Sequence, residues 1–208
     1  MPLERIVATA LRIVDEDGSD ALSMRTLAQR LGSGTATLYR HFDNRADLIA
    51  HVVDRMFGVV ELKGDELLAM GWERALRTVA HAMFDALARH RNAAGLMVEQ
   101  IPLGPNAMAL RERCVAVLLG SGFPPRVAAY AYATLARYVL GFAVQANGHG
   151  GAGRPDDTRA EAAFRSVDPD LFPATVAVAG VMPVPIEDEF SFGLDLLLSG
   201  LARLRDEV

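Results

Sequence analysis

The sequence predicts an all-α fold, and three observations predict it. Apolar residues recur at helical spacing along nearly all of the 208 residues. Glycines and prolines fall between those stretches, where helices end and restart. No alternating strand pattern stands out, and the one ambiguous piece is the valine-rich stretch 174–184.

Composition narrows the class. At 51% hydrophobic and 23% charged residues, the chain is globular and not disordered, with length for one large domain or two small ones. No run approaches the roughly 20 apolar residues that span a bilayer, so no membrane partner is expected. The N-terminal MPLERIVATALRI is amphipathic and contains an acid, unlike a signal peptide. Cys114 is the sole cysteine, which excludes an intrachain disulfide and fits a reducing cytoplasm. The net charge of −5 argues against a uniformly basic surface. Residues 20–45, however, hold Arg25, Arg30, Arg40 and Arg45 against Asp20 and Asp43, a local surplus of two positive charges.

The elements follow in order. Helix 1 is expected over residues 3–17, with Ile6, Ala10, Ile13 and Val14 on one stripe and Gly18 as a left-handed cap. Ser23 is placed to cap helix 2, which buries Leu27, Ala28 and Leu31. Gly32-Ser33-Gly34 makes a turn into helix 3, residues 35–41, which buries Leu38 with Phe42 just behind it. Asn44 caps helix 4, Asp47 sits favourably near its N-terminus, and the helix runs to about Val60. Residues 62–65 mark a boundary, dividing the chain into residues 1–60 and 61–208. Helices are expected near 69–90, near 92–100 and up to about 120, with breaks at 102–105 and 122–125. A long helix over 126–146, a glycine-rich loop over 147–155, a short helix near 169–179 and a last helix over 187–205 complete the chain.

Two late helices carry apolar stripes spaced 4, 3, 4, 3: Ala128, Tyr132, Leu135, Val139 and Phe142, then Phe190, Leu194, Leu197, Leu201 and Leu204. Such stripes are seams for shallow-angle helix packing. Each seam either faces its own core or joins its counterpart in a two-fold, four-helix bundle between subunits.

Residues 23–44 (SMRTLAQRLGSGTATLYRHFDN) have the makings of a helix-turn-helix. A helix entering the major groove presents short polar side chains at its first turns and buries its back. Thr35 suits a base edge or a phosphate, Ala36 a thymine methyl, and Thr37, Tyr39 and His41 phosphate oxygens. Arg25 suits bidentate guanine contact and Arg45 a backbone phosphate. A solvated polar face would leave the same pattern. Other features lead nowhere. The glycine-rich stretch lacks the lysine and hydroxyl ending of a phosphate loop, and His51, His81, His90 and His149 lack metal-ligand spacing. With no nucleophile–base pair either, no enzyme, cofactor or metal is expected.

The motifs LSMRTLAQRLG (22–32) and TLYRHFDNR (37–45) resemble helix 2, helix 3 and the start of helix 4 of the tetracycline-repressor (TetR) family. The resemblance spans about residues 4–57. It continues more weakly through Gly71-Trp72, His90-Arg91, Gly122-Phe123, Leu140-Gly141-Phe142 and Phe190–Leu194, landmarks of the subgroup with a tetracycline-repressor-like C-terminal domain. It implies a three-helix DNA-binding domain joined by helix 4 to a larger ligand-binding and dimerisation domain. It implies a homodimeric repressor that binds a palindromic double-stranded operator and is released by a small-molecule effector. DNA contact then falls on Arg25, Thr35, Ala36, Thr37, Tyr39, His41 and Arg45, and the dimer seam on Tyr132, Leu135, Val139, Phe142, Phe190, Leu194, Leu197 and Leu201. Effector lining falls on Val79, Met83, Met97, Ile101, Cys114, Tyr138 and Gln145. Met97 and Gln145 stand where drug-binding relatives use a histidine and a glutamate to hold magnesium, so a mostly apolar effector without metal is expected. Ser33 replaces the family's small apolar turn residue, and two flanking glycines imply a looser turn. The alternative is a helical ligand-binding protein, or an enzyme using the apolar cavity, in which DNA binding is weak or lost.

Overall fold

The computed structural model describes residues 1–58, 60, 64–97, 101–148 and 155–206. Among them it contains helices and no strand, in the order α1 (Leu3–Asp17), α2 (Met24–Leu31), α3 (Thr35–Leu38), α4 (Arg45–Phe57), α5 (Gly64–Ala69), α6 (Trp72–Arg89), α7 (Pro105–Gly120), α8 (Pro125–Gly148), α9 (Pro155–Arg165), α10 (Pro173–Val178) and α11 (Ile186–Asp206). Short 3-10 turns occupy Ser19–Ala21 and Arg91–Met97. The valine-rich stretch becomes α10, and α9 forms where no helix was expected. Residues 62–63, 98–100 and the loop centred on His149 lie outside the described residues.

Local capping chemistry builds the N-terminal unit. The Ser23 hydroxyl accepts from the Thr26 amide at 3.0 Å, and Asn44 Oδ1 accepts from the Asp47 amide at 3.0 Å. Asp47 answers by accepting from the Asp43 amide, closing a reciprocal cap. Gly18 has φ 89° and ψ 166°, a positive φ but not the left-handed helical cap expected of it. The turn after α2 is tight. Gly32 sits at φ 62°, ψ 35°, its amide donates to the Gln29 carbonyl, and the Ser33 amide donates to Ala28 at 2.9 Å. Those two bonds complete a Schellman motif, so Gly32 fixes the turn instead of loosening it. Helix α3 proper ends at Leu38. The chain then continues as a turn in which the Phe42 amide still returns to the Leu38 carbonyl at 3.0 Å. Leu27, Leu38 and Phe42 are buried, and Leu31 packs against them half-buried.

The N-terminal unit is tied to the rest through α4. Helix α7 begins at Gly104, whose missing side chain offers no cap. The carboxylate of Asp54, one of two buried polar side chains among the described residues, takes that place. Its Oδ1 accepts from the Asn106 and Ala107 amides, both at 3.0 Å, and its Oδ2 from Asn106 Nδ2 at 2.9 Å. Those amides are the two that an N-cap side chain serves, so Asp54 caps α7 from another helix. A Cβ at position 104 would collide with this carboxylate. A second tie runs from α1, where Asp15 meets His90 Nδ1 at 3.0 Å and the Asp15 carbonyl accepts from Asn92 at 2.8 Å.

The C-terminal core forms where α6, α8 and α11 converge on Phe190. That ring stacks on Phe84 at 4.5 Å and on Tyr138 at 5.3 Å, and meets Phe142 and His81 edge-on. Tyr138 donates to the Phe190 carbonyl at 2.6 Å, and Arg77 of α6 pairs with Asp195 of α11. Val139, Phe190 and Leu194 are therefore buried inside the protomer, so the expected dimer seam is wrong for them. Contrary to the sequence expectation, α8 over Pro125–Ala146 is long and apolar enough to cross a membrane. It packs against α6, α7, α11 and the 91–97 turn.

The turn yields a paired prediction. Gly32→Ala places a Cβ in the left-handed region and costs about 1–2 kcal/mol. Gly34→Ala, at φ −84° with open space around it, leaves stability unchanged or raised by up to about 1 kcal/mol. Urea denaturation of both variants checks the contrast.

Candidate functional site

The outer surface of the helix-turn-helix carries the expected DNA residues. Thr35 and Ala36 are exposed on the first turn of α3, Tyr39 is 56% exposed, and Thr37 and His41 are half-buried. Arg25 is exposed near the start of α2, and among the described residues no side chain pairs with it. The four arginines of this unit have different employment. Arg30 forks between Glu16 at 2.6 Å and Asp17 at 2.7 Å, and its hydrogen bond holds the Glu16 carboxyl below its ordinary range. Its charge is neutralised locally. Arg45 donates from Nε to the Leu22 carbonyl at 2.8 Å and from Nη2 to Ser19 at 3.1 Å. It braces α4 against the start of α2, a structural task that the sequence reading did not foresee. Arg40, which that reading passed over, is exposed and has no partner among the described residues. Arg25 and Arg40 are thus the cations left for phosphates or bases.

A cavity of about 500 Å³ opens in the C-terminal part, a size typical of small-molecule sites. Its walls are apolar: Phe57 ends α4, Met83 comes from α6, and Met97, Ile101 and Pro102 come from the connection before α7. Ala107 and Arg111 of α7 and Tyr132, Ala133, Ala136, Arg137 and Leu140 of α8 close it. Of the seven expected lining residues, Met83, Met97 and Ile101 are here. Val79 and Cys114 are each only 1% exposed and belong to the core. Burial pushes the Cys114 thiol up to about 12, which leaves it protonated and inert at neutral pH. Tyr138 is engaged with Phe190, and Gln145 is an exposed residue of α8 outside the lining. Tyr132, expected at a dimer seam, lines this cavity instead. Burial raises its phenol above the ordinary value, so it remains a neutral hydroxyl. One clue to the cavity is visible in the sequence, Arg137 in the middle of an otherwise apolar helix. Among the described residues, no three His, Cys, Asp or Glu side chains gather as a metal site.

A second, shallower groove of about 370 Å³ runs between α8 and α11. Leu135, Leu197 and Leu201 of the expected seam line it, together with Tyr130, Leu196 and Leu204. Tyr130 and Leu196 are about 60% exposed, so this face combines part of the expected stripe with residues beside it. Phe142, also expected at the seam, is half-buried in the Phe190 cluster.

Comparison with known proteins agrees with this architecture. Residues 6–52 match the family described as bacterial regulatory proteins, tetR family, and residues 66–205 match the tetracyclin repressor-like C-terminal domain. The chain is 29% identical to the HTH-type transcriptional repressor DrrR1 of Streptomyces coeruleorubidus over 97% of its length and 77% of that protein's. It is 27% identical to the class G tetracycline repressor of Vibrio anguillarum over 98% of its length and 94% of that protein's. Apo ActR from Streptomyces coelicolor superposes with a TM-score of 0.89 at 32% identity, covering 100% of this chain and 97% of that one. ActR in complex with actinorhodin gives 0.87 at 30% identity, covering 99% and 98%. Its relatives are regulators and not enzymes. Both units of the chain thus match one family: the chain is a member of the TetR family of ligand-responsive transcriptional repressors.

Proposed function

We propose that this repressor binds a palindromic operator as a two-fold dimer and that a small molecule with an apolar body, seated in the 500 Å³ cavity, releases it. The observation that supports the reading is the exposed set of Arg25, Thr35, Ala36, Tyr39 and Arg40, its two arginines without a partner among the described residues, beside a turn locked by Gly32. Arg25 reads guanine, Thr35 and Ala36 meet base edges, and Thr37, Tyr39, Arg40 and His41 hold phosphates. Arg45 supports that surface from behind. Residues 1–60 form the reading unit, residues 61–208 sense and dimerise, and the protein works in the cytoplasm where its DNA lies.

The dimer uses the α8–α11 groove, whose exposed Tyr130, Leu196 and Leu204 give it the apolar character of a subunit contact. Two such subunits place their α3 helices in major grooves about 34–36 Å apart. Release requires a ligand with different affinities for two arrangements. The path is short: Ala107 and Arg111 line the cavity on α7, and the N-terminus of α7 is held by Asp54 of α4. Phe57, on the same α4, touches the cavity directly. A ligand that moves α7 therefore moves the helix that supports α3.

On palindromic DNA chosen by in vitro selection, Arg25→Ala and Tyr39→Ala weaken binding by about 1–3 kcal/mol each without lowering the melting temperature. Arg45→Ala lowers both, because it removes the bonds to Leu22 and Ser19. Mobility shifts with parallel thermal melts separate the two roles. Leu196→Arg converts the dimer to a monomer of unchanged helicity, read by analytical ultracentrifugation and circular dichroism.

A further inference from the structure

The cavity assigned to the effector has two guanidinium groups in its lining, Arg111 on α7 and Arg137 on α8. Among the described residues neither pairs with a carboxylate. Arg111 donates from Nη2 to the Pro102 carbonyl at 3.0 Å and lies over the Tyr132 ring at 5.5 Å. Arg137 makes a 3.4 Å contact with the Ala133 carbonyl of its own helix. By contrast, Arg30 meets two acids and Arg77 meets Asp195. Two cations that share one mostly apolar cavity and have no carboxylate partner among the described residues offer a receptor for an anion.

We infer that the effector is an amphipathic organic anion: a flat apolar body carrying a carboxylate or a chemically equivalent acid group, which Arg111 and Arg137 bind together. The inference rests on the reading of this cavity as the effector site. Ala133 and Ala136 leave space beside α8 for a ring system, and the Met83 and Met97 thioethers adapt to its faces. The neutral Tyr132 hydroxyl adds a donor next to Arg111. A magnesium chelate would bring positive charge to two arginines, which disfavours that ligand class on this chain's own electrostatics. Because Arg111 also belongs to α7, the acid group would bear on the same helix that Asp54 caps.

Two probes test this with the full-length protein: anilinonaphthalene sulfonate and its uncharged parent, N-phenylnaphthylamine, which differ by the acid group alone. The anion is expected to bind about ten-fold tighter than the parent, and Arg111→Gln and Arg137→Gln each weaken it about ten-fold while leaving the parent unchanged. Arg137 is exposed, so its variant folds, and Arg137→Lys restores part of the affinity. Ala136→Trp fills the cavity and abolishes binding of both probes. Equal affinity for the two probes, or glutamine variants that bind the anion as tightly as wild type, overturns the anion preference while Ala136→Trp sensitivity keeps the cavity as a ligand site. Binding of both probes that survives Ala136→Trp overturns the cavity reading and the anion inference with it.

Discussion

The carboxylate of Asp54 is the constraint on which the architecture turns. A helix N-terminus leaves amides without partners, and one buried against another helix must find acceptors for them. Gly104 supplies none, so α7 borrows its cap from α4. The arrangement is demanding in both directions. A buried carboxylate is tolerated only when donors surround it, and Asp54 receives Asn106 and Ala107 amides and the Asn106 side chain. Neither α4 nor α7 can shift alone without stranding a charge or two amides. The DNA-reading unit stands at one end of α4 and the cavity at the start of α7, so the Asp54 joint lies between sensing and reading, with the Asp15 tie to His90 and Asn92 beside it.

What was legible in the sequence follows from how local each cause is. Ser23, Asn44 and Asp47 cap helices within four residues of themselves, and the structure forms those caps. The buried faces of α1 to α3 read largely correctly, Leu31 being half-buried, because a short amphipathic helix has one core to face. The turn at Gly32-Ser33-Gly34 misled because glycine was read as looseness, whereas at φ 62° it is the residue that permits two closing hydrogen bonds. The Asp54 joint left no local trace. Its donors lie more than 50 residues downstream, and an aspartate within an amphipathic helix looks like a solvated one.

The late helices show a different limit. A 4, 3, 4, 3 stripe identifies an apolar face but not what meets it. Val139, Phe190 and Leu194 meet their own protomer, since Phe190 gathers Phe84, Tyr138 and Phe142 around it. Leu204, the last residue of the stripe, stays exposed, together with Tyr130 and Leu196 beside the stripes. Helix α8 confuses such reading most, because core, cavity and groove each take one side of it. Of the residues expected around an effector, Met83, Met97 and Ile101 stand at the cavity. Val79, Cys114, Tyr138 and Gln145 stand outside its lining, and the likeness did not point to Arg111 or Arg137.

If the Asp54 joint couples the two ends, the coupling is reciprocal, and DNA must be felt at the cavity without any effector present. Amide hydrogen exchange of the full-length protein, with and without its selected palindromic DNA, reads this directly. The account predicts slowed exchange over residues 35–39 together with altered exchange at Asn106 and Ala107, whose amides Asp54 accepts. Exchange that changes over residues 35–39 while α7 stays as in the free protein would contradict it.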